Sequence, residues 1–304
     1  MSELITRLQL ACRSILRAVA APVRTLLTPV VTPPEFTLHQ IDRGPAAGAK
    51  IILPKGSQIA EMITGGHYEK CTLSVVAGLV KLSDTCFDIG GHYGYFTLSL
   101  AKIAGAGHVH TFEPVQAHAN RIKKSAEHSL LSNVTVHEQA VGDEVGNVVM
   151  NVADGPDSDD SMAYLEKCGG VDTPAAHEHY RRFVQTTVKS STLDSLATDL
   201  PSPAFIKIDA EGAEAAIIGA GMKMIATAKP RILIETHGVH EALTCAEFFQ
   251  KLHYRAVLMT DQKTTMPILW IAADDHEAIL IVTRVLGREP LILFADGDLH
   301  GAGV

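Results

Sequence analysis

The sequence predicts a doubly wound α/β domain with a mainly parallel sheet, preceded by an N-terminal helical extension. Three observations lead there. From about Tyr68 onward, short apolar runs alternate with helix-like patterns, as βα units do when they stack into a parallel sheet. The first strand-like run opens through a glycine-rich turn into a helix. Acidic residues then recur where the strand-like runs end, at the rim where open α/β sheets bind ligands.

Taken in order, the chain begins with an amphipathic pattern. Leu4, Leu8, Cys12, Ile15, Val19, Val23 and Leu26 share one helical face, and Arg13, Arg17 and Arg24 gather opposite. Pro22 kinks this helix or ends its last turn, and there is no small-residue cleavage site of the kind a secretory signal carries. Such a helix docks on its own domain or on a second subunit; attachment to a membrane surface is the alternative. Pro29, Pro33, Pro34 and Pro45 exclude a long regular element over 28–48, so a boundary is placed at 48 and the main domain at 49–304. Strands are predicted at 85–89, 108–112, 134–137, 205–208 and 231–234, with helices at 96–103 and 115–130 between the first three. Runs at 145–152 and 185–188 are extra strands or a hairpin inserted before the fourth strand, flanking a polar stretch at 154–161. Runs at 256–259 and 268–272 complete the sheet.

Composition narrows the function. The chain has 304 residues, 46% hydrophobic and 20% charged, an ordinary globular mix. Its 26 basic and 34 acidic residues give a formal charge of -8, so no overall basic field gathers phosphates and nucleic acid is not an expected partner. Five scattered cysteines without a C-x-x-C pair argue against a disulfide framework or structural zinc and suit a reducing cytoplasm. No run approaches the ~20 apolar residues of a membrane span.

The chemistry concentrates at the strand ends. The first strand runs into Asp88, Gly90, Gly91, His92, Tyr93 and Gly94, with Thr97 in the helix that follows. Glycines there let the backbone turn tightly and let a nucleotide-like ligand approach. A dinucleotide site uses G-x-G-x-x-G for a pyrophosphate, whereas this turn is G-G-x-x-G behind an acid. S-adenosylmethionine has no phosphate but carries an ammonium, which Asp88 suits directly or through water, and a carboxylate, which the amides of the helix start suit. Glu113, before Pro114 at the second strand end, can accept both ribose hydroxyls. After the third strand, Gln139 and Ala140 are placed to meet the adenine edge. A tight turn without a ligand is the duller alternative for the glycines.

The fourth strand ends in Asp209, Glu211 and Glu214, and such crowded carboxylates need solvent, a cation or a shared proton. Capping of the following helix is the plainer account of them. Asp209 stands at the carboxyl end of a central strand, which favours a role in binding or catalysis.

These motifs resemble the FkbM-like methyltransferases. The likeness starts near Tyr68-Glu69 and runs through D-I-G-G-H-Y-G-Y-F-T at 88–97, F-E-P at 112–114, A-V-G-D at 140–143 and S-T-L-D at 191–194. It continues through I-K-I-D-A-E-G-A-E at 206–214 and P-R-I-L-I-E-T-H at 230–237. The resemblance implies a seven-stranded, Rossmann-like sheet of the class I methyltransferase type, S-adenosylmethionine as cofactor, and methylation of a hydroxyl on a sugar or other small molecule. His92 departs from the family's usual asparagine, and the helix over 121–128 lacks an asparagine usual near its end.

For such a transfer the protein must align an acceptor oxygen and remove its proton. Asp209, Glu211 and His237 are the candidate catalytic residues, with His237 able to titrate near neutrality as a base. Mg²⁺ on Asp209, Glu211 and Glu235 is an alternative to a metal-free site. His177-x-His179 and His237-x-x-His240 do not form a transition-metal set. Competing classes are an NAD-dependent oxidoreductase and a noncatalytic S-adenosylmethionine-binding scaffold.

Overall fold

The computed structural model describes residues 34–153, 163–165, 183–258 and 267–293. They belong to a compact unit that begins at Pro34. The N-terminal amphipathic pattern and the polar stretch 154–161 lie outside the described residues.

The unit opens with β1 (Phe36–Gln40), inside the stretch expected to be linker, paired antiparallel with β2 (Lys50–Pro54) at the start of the expected domain. Prolines 33, 34 and 45 flank β1 rather than interrupt it, so they leave its ladder intact. Helix α1 (Gln58–Thr64) starts where the Ser57 side chain accepts from the Ala60 amide. Next come α2 (Lys70–Leu79), β3 (Thr85–Ile89), α3 (Tyr95–Ala104), β4 (His108–Phe112), α4 (Gln116–His128), β5 (Val134–His137) and β6 (Ala140–Val141). Strands β7 (Gly146–Ala153), β8 (Ala163–Leu165) and β9 (Phe183–Ser191) precede α5 (Leu193–Asp199), whose start is a capping box between Thr192 and Ser195. The chain continues with β10 (Phe205–Ile208), α6 (Glu214–Gly219), α7 (Met222–Ala228), β11 (Arg231–Glu235), α8 (Val239–Lys251), β12 (Tyr254–Leu258), β13 (Pro267–Ala272), α9 (His276–Leu286) and β14 (Leu291–Leu293).

The central sheet has the order β14-β12-β13-β11-β10-β3-β4-β5. From β11 to β5 every neighbouring pair is parallel, and β13, β12 and β14 are added antiparallel. Among the described residues the sheet therefore has eight strands and not the seven expected. The extra one, β14, is a three-residue edge strand on β12, too short to leave a period-two signal in the sequence. A second, four-stranded sheet, β6-β9-β7-β8, contains the antiparallel β7–β9 pair.

Both faces of the main sheet are covered, which explains why its central strands carry apolar residues on both faces. Alternate residues of one strand face opposite cores. On one side Cys86, Val109, Phe205 and Leu233 pack with Val75 of α2, Leu100 of α3 and Val282 of α9. On the other, Phe87, Ile206, Ile232 and Trp270 pack with Leu196 of α5, Ile217 of α6, Ile225 of α7 and Phe249 of α8. Trp270 is the largest fully buried side chain and stacks on Phe249 at a 4.3 Å centroid distance.

The chain lays down β3, β4 and β5 outward, then returns to place β10 on the other side of β3. This reversal puts a crevice at the carboxyl ends of β3 and β10.

Candidate active site

A cleft of about 290 Å³ opens at that reversal. Its floor is Ile89 and Gly90 after β3 and Phe112, Glu113 and Pro114 after β4. Ala140 and Val141 of β6 and Met150 of β7 form an apolar wall, and Ile59 and Tyr68 approach from the N-terminal elements. Asp209, Glu211, Glu235 and His237 supply the polar wall.

Glu113 is ionised and nearly enclosed. Burial alone would raise its pKa, but the hydrogen bond and charge of His118 and the amides of His92 and Val115 outweigh it and lower the value. The His92 and Val115 amides donate to its two oxygens at 2.8 and 2.9 Å, and His118 Nδ1 lies 3.4 Å away. Each carboxylate oxygen can accept two hydrogen bonds; Val115 and His118 occupy Oε1, and Oε2, which accepts only from His92, keeps capacity for a ligand hydroxyl. His92 holds its amide there in the left-handed conformation, φ 47°, which histidine and asparagine visit more readily than most residues.

The glycine turn serves the fold more than the ligand. A Cβ on Gly90 would collide with the Asp209 carbonyl oxygen, because β3 and the loop after β10 meet there at φ 79°. A Cβ on Gly91 would strike Thr111 and Ile122. Gly90, His92 and Tyr93 line the cleft, whereas Gly91 and Gly94 turn toward Ile122 of α4.

Asp88 and Thr97 stand behind the cleft and do not line it. Asp88 is 0% exposed; its Oδ2 accepts from the Thr97 hydroxyl at 2.6 Å, and its Oδ1 faces Lys207 Nζ at 3.5 Å. Burial raises its pKa against the pull of Lys207. Thr97 and Lys207 surround that carboxylate, so of the two expected modes, direct or through water, a direct contact between Asp88 and a ligand ammonium is the one this arrangement disfavours. Gln139 also misses the cleft, which its neighbour Ala140 reaches.

Lys207 carries no expectation from sequence, yet it organises the floor. Its ammonium, buried within β10, donates to the Gly90 carbonyl at 2.7 Å and lies 3.5 Å from both Asp88 Oδ1 and Asp209 Oδ2. Burial alone would lower its pKa, but Asp209, Asp88 and Glu235 raise it, so the amine stays charged.

The structure brings Asp209, Glu211 and His237 together. His237 Nε2 is 3.7 Å from Asp209 Oδ1 and 3.6 Å from Glu211 Oε2. Behind the ring, Nδ1 lies 2.9 Å from Oε1 of Glu214, a fully buried carboxylate that also accepts from the Ala210 and Gly212 amides. The helix after β10 starts only at Glu214, behind an Ala213 cap, so Asp209 and Glu211 project from the loop and do not cap it. Burial pulls the His237 pKa down, but Glu214, Glu211 and Asp209 push it up to about 9. The upward direction favours the protonated ring, which suits orienting an acceptor more than the base role expected from sequence. Burial raises Glu211 to about 7 despite the opposing charge of His237. Glu235 lines the same wall but lies outside the close Asp209–Glu211–His237 group.

A doubly wound sheet with an acid-lined cleft at its reversal point defines an α/β domain with a ligand crevice at the carboxyl ends of its strands. Residues 88–262, more than half of the chain, match the methyltransferase FkbM domain. The chain belongs to the FkbM methyltransferase family.

No curated protein matches it. Among solved structures it is similar to the methyltransferase FkbM from Methylobacillus flagellatus KT, with 16% identity, 64% of this chain and 45% of that chain covered, and a TM-score of 0.45. It thus spans less than half the length of that protein. Precorrin-6y C5,15-methyltransferase from Geobacter metallireducens GS-15 shares 11% identity over 67% of this chain and 88% of that chain, with a TM-score of 0.41. A SAM-dependent O-methyltransferase from Thermotoga maritima shares 13% identity over 79% and 78%, with a TM-score of 0.40. No helix among the described residues is long and apolar enough to cross a membrane.

Proposed function

We propose that the chain transfers a methyl group from S-adenosylmethionine to a hydroxyl oxygen of a small molecule or glycan. The observation that carries this reading is the division of the cleft. One end holds the charged, backbone-anchored Glu113 beside an apolar wall, and the other gathers Asp209, Glu211 and His237. When bound, the cofactor supplies a methyl group already activated by its sulfonium. Glu113 accepts a hydrogen bond from a ribose hydroxyl with the spare lone pair of Oε2. Phe112, Pro114, Ala140 and Val141 give the adenine an apolar bed, and Gly90, His92 and Tyr93 border the methionine arm. Asp209 or Glu211 takes the acceptor's hydroxyl proton as the oxygen attacks, and His237, held by Glu214, orients the acceptor.

The test uses the purified full chain. Calorimetry should detect S-adenosylhomocysteine binding but no NAD binding, and labelled methyl should pass from S-adenosylmethionine to a hydroxyl-bearing compound in a small-molecule extract. Absence of S-adenosylhomocysteine binding to the folded protein refutes the cofactor assignment. Label appearing only on nitrogen or carbon refutes the acceptor class.

A further inference from the structure

We infer that Asp209, Glu211 and His237 form a binding site for one divalent first-row transition-metal ion at the polar wall of the cleft. One nitrogen and two carboxylate oxygens lie within 4.8 Å of one another among the described residues. Bonds of ~2.1 Å around a tetrahedral ion place adjacent ligand atoms roughly 3.4 Å apart. The observed 3.6 and 3.7 Å from His237 Nε2 to the two carboxylates need only a slight contraction to reach that spacing.

The surroundings carry the inference further than the three donors alone. His237 presents Nε2 to the carboxylates because Nδ1 is tied at 2.9 Å to Glu214. A buried carboxylate behind a histidine fixes the tautomer and ring orientation that metal-binding histidines use. Glu214 is itself immobilised by the Ala210 and Gly212 amides, so the ring cannot easily turn away. Asp209 and Glu211 are partly exposed toward the cleft, at 32% and 22%, which leaves room for water or an acceptor oxygen to complete the shell. Asp209, Glu211, Glu214 and Glu235 crowd four carboxylates around Lys207 and His237, and a divalent ion that displaces the His237 proton adds positive charge there.

The imidazole decides the class of ion. Mg²⁺ prefers oxygen ligands, whereas a mixed nitrogen and carboxylate set suits Mn²⁺, Fe²⁺, Co²⁺ or Zn²⁺. The all-oxygen set of Asp209, Glu211 and Glu235 expected for Mg²⁺ gives way to one in which His237 replaces Glu235. The arrangement does not depend on what the cleft methylates.

Mn²⁺ is the probe, because its free ion is counted directly by electron paramagnetic resonance. Chelator-stripped full-length protein should bind one Mn²⁺ per chain, with Mg²⁺ competing at least tenfold more weakly. His237→Ala and Glu211→Gln should each weaken Mn²⁺ binding tenfold or more, while Glu235→Gln leaves it within about twofold. Circular dichroism confirms folding of each variant, and S-adenosylhomocysteine calorimetry on the same samples tests the cofactor reading separately. No saturable Mn²⁺ binding, or binding unchanged in both His237→Ala and Glu211→Gln, overturns the site even if S-adenosylhomocysteine still binds.

Discussion

Replacing Lys207 with methionine tests the charge arrangement beneath the cleft. Methionine keeps the length and apolar stem but removes the ammonium that lies 3.5 Å from Asp88 Oδ1. At that distance two unit charges attract by roughly 5 kcal/mol at an effective dielectric of about 20. Asp88 would retain one strong hydrogen bond, from Thr97, and at 0% exposure no water could replace the lost cation. Breaking one side of such a buried pair typically costs about 3 to 5 kcal/mol, which for a unit of this size lowers the melting temperature by roughly 6 to 20 °C. The pH dependence has a definite sign. Burial already holds the Asp88 pKa above the carboxylate range, and loss of Lys207 raises it further. The folded variant then binds a proton that the unfolded chain releases, so its stability falls as pH rises from the ordinary carboxylate pKa through the raised one. Urea denaturation should show a larger deficit for Lys207→Met at pH 8 than at pH 5, and Asp88→Asn in the same chain should recover most of the pH 8 loss. A variant within about 0.5 kcal/mol of the parent at both pH values would show that the pair is not what keeps Asp88 buried.

Glu113→Ala should weaken S-adenosylhomocysteine binding by ~1 to 3 kcal/mol, the scale of lost charged hydrogen bonds, and Glu113→Gln should show how much of that is charge. Unchanged affinity in both folded variants would move the ribose away from β4. His110 is pushed down to about 4 by burial and by the neighbouring charges of His108 and His137, so the unfolded chain binds more protons between pH 4 and 6.5. Stability should therefore fall by on the order of 1 to 3 kcal/mol on acidification through that window, with the slope reduced in His110→Phe. A flat profile in the parent would remove His110 as the titrating group.

Much of the frame was legible because each central strand announces itself. β3, β4 and β10 are covered on both faces, so each carries apolar residues on both faces and is followed at once by an acid or a glycine. Glu113 and Asp209 could be found in this way, one strand at a time. What sequence could not supply were contacts between distant segments. The need for glycine at position 91 comes from Ile122 in α4 and Thr111 in β4. The anchoring of Glu113 by His118 depends on where the first turn of α4 packs. Glu214 could be solvated or buried on sequence grounds, and only the fold of the 209–213 loop places it behind His237. One signal was present without its meaning being plain: Lys207 interrupts an apolar run, and a charge inside a strand covered on both faces requires a partner. The parallel register supplies it, setting Lys207 opposite Asp88. That pairing explains the division of labour between the two aspartates. Asp88 is held inside the floor by the lysine beside it, and Asp209, two residues beyond Lys207 and past the end of β10, is the one that reaches the cleft.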